Sequence, residues 1–217
     1  MKPLLPLLLT LLLKLLPAGP PAGRVTFSPL TKAAYLAAKK KAIVTKPKMT
    51  FPLKKVRGRI VIPTAKGNVV FKDVTGDMSL DNQVRYDYLG YDERLKHHLV
   101  EEHFNGGYWG SHLFHLVGAN GQHLVVPAIL RHSPDMHQLI AATDGKDVGH
   151  FSQHIQLYRL DKSYWKKVWQ TETPEKLATW ATEEICWLSD TTLLLKKKMW
   201  TGPNPGSTFT YAKLTVK

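Results

Sequence analysis

Cysteine is almost absent from this chain, which carries Cys186 alone among its 217 residues. A single cysteine excludes an internal disulfide and every metal site that needs two or more thiolate ligands. Cys186 lies within an apolar run, residues 185–188, in which both faces of the expected strand are apolar. This pattern predicts a central strand covered on both sides, with an inert thiol in the core.

Acidic residues are missing from one long segment, which runs from Arg24 to Lys72 and holds thirteen cations with no Asp or Glu. The chain as a whole has a formal net charge of +13, so the excess positive charge lies in this segment. Two interpretations stay open, a disordered solubilising leader and an arm that binds anions. We expect an anionic envelope polymer or a protein as partner, and not nucleic acid. The candidate binding cations are Lys39, Lys40, Lys41, Lys54, Lys55, Arg57 and Arg59.

The same basic segment contains signals for local structure. Ser28-Pro29 is typical of a helix start, with Ser at the N-cap and Pro at the first helical position, so a short helix is expected over residues 31–42. Residues 57–62 and 68–72 predict a hairpin that forms the first strand pair of the sheet. We therefore divide the chain into a basic arm over residues 24–56 and an all-β domain over residues 57–217. A chain that starts near Lys72 is expected to fold normally.

The sequence has no apolar run of membrane-spanning length. Residues 4–16 are nearly all leucine, but a spanning helix needs about 20 apolar residues, and Lys14 interrupts this run. A positive start, a short apolar stretch and a small-residue exit are typical of a secretory signal peptide. Residues 1–23 are therefore predicted to be a signal peptide. The protein is expected to be exported, periplasmic or extracellular, with no transmembrane segment in the mature chain.

Familiar catalytic motifs are also missing. The sequence has no phosphate loop and no dinucleotide fingerprint, and Gly110-Ser111-His112 is not the nucleophile elbow of a hydrolase. Ten histidines invite a metal site, but His112 and His115 are three apart and point to opposite faces of a strand. His98 and His112 can approach across a hairpin, yet the spacing defines no third ligand. We expect no metal, no cofactor and no catalysis; a hydrolase or a metal-dependent enzyme with an undeclared site stays open as the alternative.

Short strand-like runs fill the rest of the chain, and each is bounded by turn residues. Asn120-Gly121 predicts a type I′ turn, in which both central residues have positive φ, and Ser133-Pro134-Asp135 predicts a second turn. The runs lie at 84–89, 98–104, 111–117, 123–126, 129–133, 138–142, 154–160, 166–170, 184–188, 192–200 and 208–216.

These runs group into a four-strand unit that returns about every 40–55 residues, a period that indicates propeller blades. The segments SPDMHQLIAAT, HIQLYRL and KKVWQ look like one blade of the β-propeller repeats of periplasmic proteins. Together with YDYLGY, they resemble small exported bacterial proteins of uncharacterised function. The resemblance implies an antiparallel all-β fold and no catalytic residues. Because propellers close with about four to eight blades, an incomplete propeller or an open stack of sheets is expected. The alternative to an open stack is that the N-terminal part contributes strands and completes a compact sandwich.

Two adjacent aromatic residues stand out in a glycine-rich segment, residues 105–110. Tyr108 and Trp109 are candidates for a binding loop, because aromatic residues in mobile loops often stack against ligands or partners. The sequence as a whole predicts an exported, monomeric protein that acts as a non-catalytic binding or structural module of the cell envelope.

Overall fold

The structure is a computed structural model that describes residues 24–75, 83–106, 109–127, 129–143, 155–171, 180–200 and 207–217. The predicted signal peptide, residues 1–23, lies outside these residues. The described part is an antiparallel all-β protein with a single helix and several separate sheets, none of which is closed. This confirms the predicted fold class. No helix in this part has the length and hydropathy that crossing a membrane requires.

The strands form three larger sheets and one separate hairpin. The elements are β1 (Val25–Leu30), α1 (Lys32–Lys39), β2 (Met49–Thr50), β3 (Arg59–Thr64), β4 (Gly67–Lys72), β5 (Gln83–Asp92), β6 (His97–Gly106), β7 (Trp109–Gly118), β8 (His123–Pro127), β9 (Ile129–His132), β10 (Gln138–Ala142), β11 (Ile155–Asp161), β12 (Tyr164–Gln170), β13 (Trp180–Ser189), β14 (Thr192–Trp200) and β15 (Ser207–Val216). Sheet I has the order β2-β5-β6-β7-β8, sheet II the order β12-β11-β10-β9, and sheet III the order β1-β15-β14-β13. The hairpin consists of β3 and β4.

Three apolar clusters hold the sheets together as a stack. Side chains alternate along a strand, so in the central strand β10 one set packs towards sheet III and the other towards sheet I. Ile140 belongs to the first cluster, which is shared with Trp187 and Leu195 of sheet III. Leu139 belongs to the second, which is shared with Leu116 of sheet I. The third cluster joins the hairpin to the opposite face of sheet I. Sheet II is therefore the middle layer between sheets I and III.

The basic segment is folded into this stack and is not a separate arm. Strand β1 pairs antiparallel with β15, the last strand of the chain. Tyr35 of α1 is buried, with its ring centroid 4.7 Å from that of Tyr211. The interpretation of residues 24–72 as a disordered leader is therefore wrong. The predicted hairpin is confirmed, but it forms a two-stranded sheet of its own and is not the first pair of a larger one.

Two local predictions fail for physical reasons. Ser28 and Pro29 lie in β1, and the helix N-cap is Thr31, whose Oγ1 accepts a hydrogen bond from the Ala34 amide at 3.1 Å. Pairing with β15 decides this boundary, and a local propensity cannot report a pairing between distant strands. The turn at Asn120-Gly121 is present, but only Gly121 has a positive φ, of 82°. Its amide donates to the Gly118 carbonyl at 2.9 Å, so the turn is not of type I′.

Candidate functional site

A cavity of about 610 Å³ lies where the three larger sheets approach one another. Each sheet contributes one wall, and the segment that follows α1 contributes a fourth. The size falls within the range of about 300–1,000 Å³ that small-molecule sites occupy. The lining residues are Leu89, Leu99 and Phe114 of sheet I, Leu130, Arg131 and His132 of β9, Glu184, Ile185 and Cys186 of β13, and Lys39, Ala42, Val44, Thr45, Lys46 and Pro47.

The fourth wall is held in place by polar contacts to the edge strand β13. Glu184 accepts a hydrogen bond from the Tyr35 hydroxyl at 3.0 Å. It also forms an ion pair with Lys39, whose Nζ lies 2.7 Å from the Glu184 carboxylate. The Ile43 amide then donates to the Trp187 carbonyl at 2.8 Å. Burial alone would raise the pKa of Glu184, but the hydrogen bonds from Lys39 and Tyr35 hold that pKa below its usual value. The carboxylate therefore stays ionised and ties the N-terminal segment to sheet III.

The lining is mainly apolar, with an excess of positive charge. Lys39, Lys46 and Arg131 are the cations and Glu184 is the carboxylate among the lining residues. Glu184 neutralises Lys39, which leaves Lys46 and Arg131 without a carboxylate in the lining. An apolar cavity with two such cations is suited to a ligand that combines an apolar body with an anionic group.

Behind His132 lies a buried polar cluster at the junction of sheets I and II. Asp92 and His97 face each other across β5 and β6, and His132 and Trp165 come from sheet II. The Trp165 ring centroid is 6.3 Å from that of His97 and 6.0 Å from that of His132. Asp92 Oδ2, His97 Nε2, His132 Nε2 and Trp165 Nε1 are all buried without a hydrogen-bond partner in the described part of the chain. Such a group is costly unless a water or a ligand satisfies it.

Protonation in this cluster is governed by burial. Removal from water lowers the pKa of His132 to about 4, although the Asp92 charge acts in the opposite direction. Burial also lowers the pKa of His97, whose Nδ1 donates to the Leu95 carbonyl at 2.5 Å. With Nδ1 protonated, Nε2 of the neutral His97 carries a lone pair. The imidazoles of the cluster are therefore neutral near pH 7, and His132 is the member of the cluster that lines the cavity.

Cys186 lies in the cavity wall and not in a doubly covered strand. Strand β13 is the edge strand of sheet III, and Cys186 is half-buried. The prediction of a central strand is wrong because β13 lies at the edge of its sheet. Residues 185–188 are apolar on both faces because Ile185 and Trp187 pack in the core, while Cys186 lines the cavity. Burial, with a smaller effect from Glu184, raises the pKa of the thiol. A raised pKa is the opposite of what a nucleophilic cysteine requires.

The candidate binding cations do not form one patch. Lys39 lines the cavity, and Lys40 and Lys41 are exposed after α1. Lys55 is tied to the hairpin region, where its Nζ lies 2.6 Å from Asp73 and donates to the Tyr86 carbonyl. The others are exposed around the start of β3: Lys54, Arg57 and Arg59. The fold thus brings Lys39 to the cavity and distributes the rest along the N-terminal segment.

The predicted aromatic loop is shorter than the sequence suggests. Trp109 is the first residue of β7 and pairs with Gly106 of β6. Tyr108 lies outside the described residues, so a binding role for the two aromatic residues stays a prediction.

The histidines are paired by a register that spacing alone did not reveal. His112 lies opposite His103, and His98 lies opposite Val117, so the expected approach of His98 and His112 is wrong. His115 lies on the other face of sheet I, beneath the hairpin. Its Nε2 is 2.7 Å from Glu102 and its Nδ1 is 2.8 Å from His123 Nε2. That chain of polar contacts packs against Phe71 of the hairpin, which indicates a structural role.

Comparison with known proteins gave no match to this chain among protein-family models, curated proteins or solved structures. The resemblance to exported propeller-like proteins therefore stays a prediction.

Proposed function

We propose that this protein is an exported, non-catalytic binding module that holds an anionic ligand with an apolar body in the cavity between its three sheets. The observation that carries this proposal is the cavity itself, which is built from the N-terminal segment and all three sheets. The apolar lining favours binding because the hydrocarbon part of the ligand is removed from water when it enters the cavity. Lys46 and Arg131 supply charge-assisted hydrogen bonds to the anionic group.

Binding of decanoate, measured by isothermal titration calorimetry, tests this function. We expect saturable binding of one decanoate per chain, weaker binding of decanol and weakest binding of decylammonium. Arg131→Ala and Lys46→Ala should each weaken decanoate about 10-fold, since a hydrogen bond to a charged group contributes about 1.5–3 kcal/mol.

Lys48→Ala is the matched control for Lys46→Ala, because Lys48 is exposed two residues away and does not line the cavity. The control should bind decanoate as the unaltered chain does. Equal affinities for the anionic, neutral and cationic probes, or an equal loss in the Lys48 and Lys46 variants, would contradict the proposal.

Export rests on the sequence of residues 1–23 and has its own test. The intact mass of the protein isolated from its native source should lack roughly the first 19–24 residues, as cleavage of a signal peptide requires. Retention of residues 1–16 in the isolated protein would refute export while leaving the binding proposal intact.

A further inference from the structure

Four titratable side chains meet on one face of sheet I. Glu101 and His103 are two residues apart in β6, so their side chains point to the same face of the sheet. The register places Asp87 of β5 opposite Glu101, and His112 of β7 opposite His103. Directly opposed residues on one face have Cβ atoms about 5 Å apart. Three neighbouring strands thus deliver two imidazoles and two carboxylates to one place.

The atoms that can bind a metal are already close together. Glu101, His103 and His112 each offer one such atom, and the three atoms lie within 4.8 Å of one another. His103 Nε2 is 3.4 Å from a Glu101 oxygen, and His112 Nδ1 is 3.7 Å from the other. Zinc binds nitrogen and carboxylate oxygen at about 2.0–2.2 Å in tetrahedral geometry, which places neighbouring ligand atoms about 3.4 Å apart.

His103 also lacks a satisfied hydrogen bond. Its Nε2 is buried and has no hydrogen-bond partner among the described residues, although Asp87 and Glu101 oxygens lie 3.2 and 3.4 Å away. His103 Nε2 therefore lies close to two carboxylates but forms no hydrogen bond with either of them. A nitrogen that binds a metal ion beside a carboxylate ligand has this position. Asp87 is held at 2.7 Å by Arg85, so it is suited to orient the site from the outside.

We propose that Glu101, His103 and His112 bind one divalent transition-metal ion of the zinc class. Imidazole nitrogen with carboxylate oxygen is a ligand set that such ions prefer. Three protein ligands leave a fourth position open. His112 is 54% exposed, and His103 also lines a neighbouring cavity of about 370 Å³, so an external ligand can reach this position. The proposal stands independently of the cavity ligand and opposes the expectation from spacing that the chain holds no metal.

The test is calorimetric titration of zinc chloride into the untagged, metal-depleted chain. We expect one ion per chain, and at least a 100-fold weaker affinity in His103→Gln, in His112→Gln and in Glu101→Gln. His137→Gln is the control, because His137 is exposed in the turn before β10 and lies outside the cluster. This variant should bind zinc with unchanged affinity.

Circular dichroism and the melting temperature of each metal-free variant establish that the fold is intact. A folded variant that loses zinc supports the site. If a Gln variant fails to fold, zinc protection of His103 and His112 from diethyl pyrocarbonate in the unaltered chain replaces it. The proposal is overturned if zinc does not bind saturably. It is also overturned if the folded variants bind as tightly as the unaltered chain, or if zinc leaves both histidines reactive.

Discussion

A chain that begins near Lys72 should fail to fold, contrary to the expectation from charge alone. It lacks β1, which pairs with β15 through six residues, and it lacks the hairpin that covers one face of sheet I. Loss of one large core side chain costs about 2–5 kcal/mol, and a whole domain is stable by only about 5–15 kcal/mol. The buried residues that would be lost are Tyr35, Ile60, Ile62 and Phe71.

The measurement is urea denaturation followed by tryptophan fluorescence. The shortened chain should show no cooperative transition, whereas a chain that begins at Arg24 should unfold cooperatively. Tyr35→Ala gives an intermediate case and should lower the free energy of unfolding by about 3–5 kcal/mol, as for other buried aromatic residues. Cooperative unfolding of the shortened chain with the stability of the longer one would show that the N-terminal segment is not part of the fold.

Acid should destabilise the protein between about pH 6.5 and pH 4, and His132 should account for much of this loss. Its pKa is about 4 in the folded chain and 6.5 when unperturbed, so the unfolded state binds more protons in that window. The free energy of unfolding therefore rises with pH between about pH 4 and pH 6.5, and the contribution of His132 is fully present above pH 6.5. The size of the shift corresponds to roughly 3 kcal/mol.

His132→Asn tests this contribution, with the free energy of unfolding measured at several pH values. The variant should lose a large part of the dependence between pH 4 and 6.5, although burial also lowers the pKa of His97, His98 and His123. His137→Asn, at an exposed position, is the control and should retain the part of the dependence that His132→Asn loses. Identical pH profiles for the two variants would show that His132 does not titrate as its burial indicates.

The strands were largely predictable because their signals are local. Short runs rich in leucine and other strand-forming residues, bounded by turn residues, mark Gln138–Ala142 and Thr192–Trp200 with the bounds that the structure has. In sheet II, and in strands β13–β15 of sheet III, consecutive strands are antiparallel neighbours, as the repeated strand unit predicts, whereas β1 joins sheet III from the start of the chain. The helix also lies where alanine and lysine predicted it, although it is shorter and starts at a different cap.

Contacts between distant segments were not predictable from local signals. Charge suggested that Arg24 and its neighbours form an arm, but β1 is fixed by pairing with the end of the chain. The cavity depends on the approach of three sheets, and nothing near Cys186 in the sequence reports which sheet lies opposite it. The metal cluster is an instructive case: Glu101-x-His103 on one strand is a visible signal, but His112 joins it only if the hairpin register is known.

The most direct test of the cavity as a ligand site is a nuclear magnetic resonance titration of the chain with decanoate. If decanoate enters the cavity, amide shifts should saturate at one equivalent and concentrate on the walls contributed by different sheets, such as Leu99, Leu130 and Ile185. Val44 of the N-terminal segment should shift with them. Shifts confined to exposed lysines, or no saturation at one equivalent, would contradict the account.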